Sequence, residues 1–357
     1  MASRFLDDPR FPNGKEEFRN VVNDVILGSY EAGLHDAYTI EDIESTFYTE
    51  FLATFLDANT VKCNEYLKYM DFETGITAPQ WKVGNIGGSD AWVCTPGAGD
   101  RWMLMPPSYP SRSQAYFNSV YVDYQVGNGT TELKDGELRQ TADLPPGEYL
   151  FSIRGLGYRF EGRTSNPDYD YDIEGTSLFV NDGKTQATPL EVGHVNTFYT
   201  IGEVREGEKI SFGVSITGKQ GHWYSFDDAE LRYIGTDPSV IEEYVLGKEL
   251  AAARKSLREA IDSANIVITM PDYLFEKTAF SEKIAAAQNI YDSSRDMEEI
   301  TTQSREVLNG IADYIHANVG YTNLRNDLAH AKAIANADET LTAVINAVDQ
   351  YFAALTE

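Results

Sequence analysis

Along Gly218 to Gly235, GKQGHWYSFDDAELRYIG, the apolar side chains change parity. Tyr224 and Phe226 fall on one face of an extended chain and Ala229, Leu231 and Tyr233 on the other, so no regular strand can bury both sets together. The change falls at Asp227-Asp228, which predicts a β-bulge with two carboxylates where ladder pairing is interrupted. The carbonyls freed there suit a hard cation better than catalysis.

The chain around this stretch, from Met70 to Gly235, is written in strands and turns. Ile210, Phe212, Val214 and Ile216 alternate with Ser211, Gly213, Ser215 and Thr217 after the Glu206-Gly207 turn. Tyr149, Phe151 and Ile153 alternate after Pro145-Pro146-Gly147, Leu178 and Val180 run into the turn Asn181-Asp182-Gly183, and Phe198 to Val204 supplies a further strand. Short strands without intervening helices predict an antiparallel sandwich.

The flanks have a helical period. Phe18, Val21, Val22 and Val25 predict one helix, and Ile40, Ile43, Phe47, Phe51 and Phe55 a second, capped by Thr39 with Glu41 and Asp42 in its first turn. After Asp237-Pro238 come five predicted helices. Their stripes are Leu250 to Ala264, Phe280 to Tyr291, Met297 to Tyr314, Leu324 to Ala331, and Leu341 to Tyr351, with Pro271 between the first two. The two flanks also share a pattern of aromatic, aliphatic, any residue, Ala, Asn: Phe55-Leu56-Asp57-Ala58-Asn59 and Tyr314-Ile315-His316-Ala317-Asn318. The sandwich therefore reads as inserted between copies of one helical repeat, with another copy starting after Val319. Segments 1–69, 70–236 and 237–357 are the expected domains.

Charge excludes some partners. With 29 Lys plus Arg against 56 Asp plus Glu the net charge is −27, which repels phosphate backbones and anionic lipid surfaces. No run of about 18 apolar residues could span a membrane. Met1 leads into ASRFLDDPRF without a basic and then apolar leader, so either the protein is not exported or this is a piece of an exported parent. Cys63 and Cys94, the two cysteines, read as one disulfide or as two free thiols. Catalysis has little support: His35, His194, His222, His316 and His330 form no H-E-x-x-H, and no G-x-S-x-G or P-loop occurs.

The motifs Met70-Asp71-Phe72-Glu73-Thr74-Gly75 with Trp81-Lys82-Val83-Gly84-Asn85, then Gly136 to Gln140 with Leu144 to Tyr149, then Trp223 to Leu231, stand in that order. Together they resemble the first, middle and last strands of galactose-binding-like jelly rolls of carbohydrate-binding-module type. The chain departs from that family in having Tyr-Met-Asp before Phe72 and a long loop from Tyr158 to Gly175. The flanking helices resemble FIVAR-type modules of large extracellular bacterial proteins. The resemblance implies a central antiparallel jelly-roll β-sandwich flanked by helical-bundle segments, taken from a secreted or cell-surface parent that binds a glycan or polysaccharide. The other reading is an adhesive or structural protein whose sandwich contacts another surface protein. The resemblance further implies a structural Ca²⁺ joining the first and last strands through Glu73 and Asp227 or Asp228.

Sugar recognition needs aromatic faces and a few polar groups. Trp92, Trp102, Tyr109, Arg112 and Tyr116 fall in loop-like sequence, Tyr158, Tyr169 and Tyr171 in the second long loop, and His222 and Trp223 at the entrance to the last strand. The resemblance assigns Trp81, the Trp after the Phe-Glu entry, to the core, and Trp223 stands between core and site. The run Asp168-Tyr169-Asp170-Tyr171-Asp172 has D-x-D-x-D spacing, but Ile173 and Phe179 replace the Gly and Glu that an EF-hand requires, so it reads as an exposed acidic loop.

Overall fold

The computed structural model describes residues 2–27, 51–89, 91–96, 102–108, 117–125, 133–160, 169–189, 194–218, 222–334 and 339–355. They form two compact units, Met1–Tyr244 and Val245–Glu357. The helix expected over Ile40 to Phe47 lies outside the described residues.

In the first unit, α1 (Ala2–Leu6), α2 (Lys15–Val21) and α3 (Ala53–Asp57) lead into an antiparallel jelly-roll sandwich. Its strands are β1 (Thr60–Lys62), β2 (Gln80–Trp81), β3 (Asn85–Ile86), β4 (Trp92–Thr95), β5 (Trp102–Met105), β6 (Tyr121–Gln125) and β7 (Gly136–Ala142). After these come β8 (Gly147–Phe160), β9 (Tyr169–Tyr171), β10 (Thr176–Val180), β11 (Gly183–Gln186), β12 (Asn196–Val204), β13 (Ile210–Ile216) and β14 (His222–Ile234). One sheet has the order β12-β8-β14-β6-β5-β2, with β1 added on β14 and β9 on β8. The other has the order β11-β10-β13-β7-β4-β3.

The core between the sheets is aromatic. Phe151 meets Phe212 across it at 5.2 Å, Phe212 packs edge-on to Trp92, and Trp102 stacks on Tyr124 at 4.3 Å. On β14 the parity change is present: the register with β8 shifts between Asp227 and Glu230, and Asp228 has φ +48°, a left-handed conformation that Asp tolerates. Tyr224 and Phe226 before the bulge and Leu231 after it all face the core, buried.

The outer face of the first sheet is shared. At one end Leu150, Tyr199, Ile201 and Ile234 pack against Phe5, Phe11, Phe18, Leu52, Phe55 and Leu56 of the N-terminal helices. Each phenylalanine so buried contributes about 1.5–3 kcal/mol. The described N-terminal helices therefore share this core with the sandwich.

The second unit continues α4 (Ser239–Ile268) and adds α5 (Lys277–Ser293), α6 (Met297–Ile334) and α7 (Glu339–Leu355). Leu257, Ile261 and Ala264 meet Phe280, Ile284 and Ala287, and Ile300, Val307 and Tyr314 close the bundle. The third and fourth predicted helices are one helix of 38 residues. Gly320 costs that helix about 1 kcal/mol but leaves the backbone hydrogen bonds intact, as a proline would not.

The two Asn residues matched by the repeat occupy equivalent places. Asn59 Nδ2 donates to Phe55 O at 2.8 Å and Asn13 O at 3.0 Å, while its Oδ1 accepts from Asn13 N at 2.8 Å. Asn318 Nδ2 donates to Tyr314 O at 2.9 Å and Phe275 O at 3.1 Å, while its Oδ1 accepts from Phe275 N at 2.8 Å. Each clamped residue precedes a left-handed N-cap, Gly14 (φ 66°) or Glu276 (φ 54°). Four residues on, Phe18 stacks on Phe55 at 4.4 Å and Phe280 on Tyr314 at 4.5 Å.

Candidate functional site

The end of the outer face remote from the helices carries the aromatic residues that the sequence suggested for recognition. Trp223 pairs with Tyr158 across β14 and β8, and Tyr158 pairs with Tyr171 across β8 and β9. Paired residues of neighbouring strands share a face, so the three rings form one corner. Tyr158 lies 5.3 Å from Tyr171 and 6.2 Å from Trp223, centroid to centroid. Tyr171 is 37 % exposed, Trp223 is half-buried, and Tyr158 is buried behind them.

Beneath this corner, Asp123 faces outward from β6, opposite Ser225, whose Oγ donates to it at 2.6 Å. Burial pushes its carboxyl up to about 7, opposed by hydrogen bonds from Ser225 and the Trp223 side chain.

A cleft of about 240 Å³, sharing Tyr171 with the corner, opens between β8–β9 and the described residues that follow β11 and lead into β12. Its Asn196 and Phe198 pair with Gly155 and Ile153 and face the core side of the sheet, opposite Tyr158 and Trp223. The cleft depends on Gly157. A Cβ there would lie 2.2 Å from Asp172 O, so glycine lets the loop after β9 cross β8, where Asp172 N donates to Gly157 O at 2.9 Å. That approach delivers Asp172 Oδ2 to His222 Nε2 at 3.0 Å, while Asp172 Oδ1 accepts from Glu174 N at 2.7 Å and Tyr224 OH donates to Glu174 O at 2.8 Å. Ile173, Ala187, Asn196 and Phe198 supply a buried floor. Glu174, Gln186 and His194 give polar groups on the rim. Asn196 Nδ2 donates to His194 O, two residues back, at 2.8 Å.

Several expected residues lie elsewhere. Trp92 and Trp102 are strand residues with no exposed face. Trp92 Nε1 donates to Tyr69 O at 2.8 Å and Trp102 Nε1 to Thr95 O at 3.0 Å, so each is a satisfied core side chain. Trp81 is the reverse case. Assigned to the core, it is 54 % exposed on the edge strand β2, opposite Met103 on the outer face. His222 turns inward, 5 % exposed and stacked on Tyr224, so it holds Asp172 and does not face solvent. Tyr169 lies on β9, while Tyr109, Arg112 and Tyr116 lie outside the described residues. Asp172, Glu174, Gln186, His194 and Asn196 were not singled out for ligand binding. The signal that marked their place was Gly155-Leu156-Gly157, two glycines inside a strand.

Of the three expected calcium ligands, two converge. Glu73 Oε1 accepts from Val120 N at 2.7 Å, and Asp227 Oδ2 accepts from Ser119 Oγ next to it in sequence. Burial pushes Asp227 up to about 7, with the charge of Asp228 adding to it. Asp228 turns to solvent and pairs with Arg154 at 2.6 Å. Among the described residues no three His, Cys, Asp or Glu side chains gather as a metal site. Cys63 and Cys94 are free and buried, and burial pushes both thiols up to about 12, which leaves them unreactive.

No protein-family model and no curated protein matches the chain. The likenesses are to solved structures. A cyclase from Fischerella sp. in its apo form aligns with 50% of this chain and 99% of its own at 11% identity and TM-score 0.35. TmCBM61, solved with beta-1,4-galactotriose, aligns with 46% of this chain and 96% of its own at 19% identity and TM-score 0.26. The CBM22-1 xylan-binding domain of Xyn10C from Paenibacillus barcinonensis aligns with 44% and 94% at 13% identity and TM-score 0.24. At these scores the likenesses carry no functional argument. Among the described residues no helix is long and apolar enough to cross a membrane.

Proposed function

We propose that the chain is a non-catalytic carbohydrate-binding module with helical spacers, part of a secreted or cell-surface bacterial protein. The observation that carries this reading is the aromatic corner Tyr158-Tyr171-Trp223 on the outer face, whose Tyr171 also lines a cleft bearing amide, imidazole and carboxylate groups. Aromatic faces stack on sugar C–H surfaces, and groups that both donate and accept match hydroxyls. Affinity electrophoresis through neutral polysaccharides tests it. Retention is expected, with Tyr171→Ala and Trp223→Ala each weakening it about tenfold. Equal migration in every polymer would discard the glycan reading.

A second reading, protein contact without a sugar site, is favoured by Trp81, an exposed indole on an edge strand. Retention of a surface protein that Trp81→Ala abolishes, with no retention on polymers, would select it. A Ca²⁺ ion at Glu73 and Asp227 belongs to either reading. Calcium takes hard oxygens and would supply the positive charge that buried Asp227 lacks, clamping β14 to the segment after Met70.

A further inference from the structure

Helix α7 carries two apolar seams. Ile345, Val348 and Phe352 step along it by three and four, and Val344, Ala347, Tyr351 and Ala354 by three, four and three. Such steps keep side chains on one face of a helix, and their alternation is the spacing of a seam that takes a partner helix. The first seam has its partner within the chain. Ile345 and Phe352 are buried, Phe352 meets Tyr321 of α6 edge-on at 5.0 Å, and Asp349 pairs with Lys332 of α6. The second seam is open, with Val344 56 % exposed, Tyr351 58 %, and Ala347 and Ala354 exposed as well. One buried stripe is enough for a surface helix, whereas apolar side chains over more of the circumference call for burial on a second side. In the bundle, α5 has this: its Phe280, Ile284 and Ala287 lie buried in one core with both α4 and α6.

The order of residues in the open seam identifies what fits it. The small Ala347 and Ala354 alternate with the larger Val344 and Tyr351. When two such helices run antiparallel, the two kinds of position share a layer, so Val344 faces Ala354 of the second copy and Ala347 faces its Tyr351. Each layer then joins a large side chain to a small one, which fills space without strain. A parallel pair would set Tyr351 against itself and Ala347 against itself, crowding one layer and emptying the next. Charge points the same way. Copies of a chain with net charge −27 repel one another. The only charged residues of α7 are Glu339, at its first position, and Asp349, two residues from both Ala347 and Tyr351 and so off their face. We propose that α7 pairs antiparallel with α7 of a second copy of this chain. The pairing is isologous, each copy giving and receiving the same seam. A helix of 17 residues is about 25 Å long, and one helix pair falls short of the roughly 800 Å² per partner of stable complexes. Association is therefore expected at concentrations on the order of tens of micromolar. Two joined chains present two sandwiches, whatever these bind, and weak contacts to a repeating surface then reinforce one another.

Sedimentation velocity of the full chain from about 5 to 500 µM tests this. The mean mass is expected to rise toward twice that of the chain. Ala347→Glu, which sets a charge and a longer side chain in the seam, is expected to weaken association more than about tenfold with the helical melt retained. Cross-linking reads the orientation. Cys63 and Cys94 are buried, so the disulfide that forms in air reports on introduced cysteines. A mixture of Val344→Cys and Ala354→Cys chains is expected to form a linked dimer faster than either variant alone. If Ala347→Glu shifts the helical melt, the cross-link alone decides. A chain that stays monomeric to the highest concentration, a dimer unchanged by Ala347→Glu, or single variants that link as fast as the mixture would overturn the proposal.

Discussion

The N-terminal helices and the C-terminal bundle use the same corner and complete it with different material. In both, an Asn one turn past a stacked aromatic ring ties off the residue before a left-handed N-cap. In the bundle, α4 supplies the facing apolar stripe, Leu257, Ile261 and Ala264. In the N-terminal segment α1 is five residues long, and Leu150, Tyr199, Ile201 and Ile234 of the sandwich supply the surface instead. A helical corner of this kind needs an apolar partner of suitable width, and a helix or a sheet face will serve. The difference makes one copy a self-contained bundle and the other a buttress of the sandwich.

The largest expected effect comes from removing the clamps. Asn59→Ala and Asn318→Ala each strand backbone groups at a buried corner and should cost about 2–4 kcal/mol. The readouts separate the copies, because all four tryptophans, Trp81, Trp92, Trp102 and Trp223, lie in the first unit. Asn318→Ala should lower the helical melt followed by circular dichroism and leave the tryptophan fluorescence melt in place. Asn59→Ala should lower the fluorescence melt. If Asn59→Ala leaves it in place, the N-terminal helices are not a buttress.

A smaller effect distinguishes the units by pH. Asp123 and Asp227 are raised to about 7 in the folded state, against about 3.9 unfolded. Between these values the unfolded chain releases protons that the folded chain keeps, so stability falls as pH rises from about 4 to 7 and levels off above. A loss across that range is expected in the fluorescence melt in chelator, with Asp123→Asn removing part of the slope. Asp123 and Asp227 both lie in the first unit, so the helical melt of the bundle should lack their contribution to the slope. Calcium bound at Asp227 would stabilise its charged form, so added Ca²⁺ should raise the fluorescence melt at pH 7 by about 1–3 kcal/mol and flatten the slope. An identical melt in chelator and in Ca²⁺ would remove the ion from the proposal.

The smallest test exploits a mismatch at the N-caps. Glu276 holds a left-handed φ that Gly14 adopts without strain. Glu276→Gly should stabilise the bundle by about 0.5–1 kcal/mol, and Gly14→Glu should weaken the first unit by a similar amount. No change from either would mean that the two N-caps are not equivalent.

Local alternation made much of the fold legible. The strands at Ile210–Ile216 and Thr176–Val180, the hairpin turn at Asn181-Asp182-Gly183 and the bulge at Asp227-Asp228 all follow from side-chain parity. Trp92 and Trp102 were misplaced because β4 and β5 are four residues each, too short to display a period. The site was harder to read. Tyr158 meets Tyr171 and Trp223 only because β8 pairs with both β9 and β14, and strand neighbourhood is not written in periodicity. The cleft was less legible still, since its polar residues come from separate loops that Gly157 brings together. Trp81 shows the same limit, because its face depends on pairing with Met103.

The bulge in β14 has a consequence for how this chain can vary. Ahead of it Trp223 and Ser225 face outward toward the aromatic corner, and beyond it Arg232 and Ile234 face outward toward the helices, Arg232 pairing with Asp57 at 2.6 Å. Were the bulge drawn flat, with Asp228 and Ala229 each taking a full place in the ladder, one half of the strand would turn over and Arg232 would replace Leu231 in the core. Losing Asp228 does the opposite: it removes the extra residue and leaves a regular strand whose two halves face as they do now. A single codon lost at position 228 should therefore remove the pair with Arg154 and leave the core pattern intact.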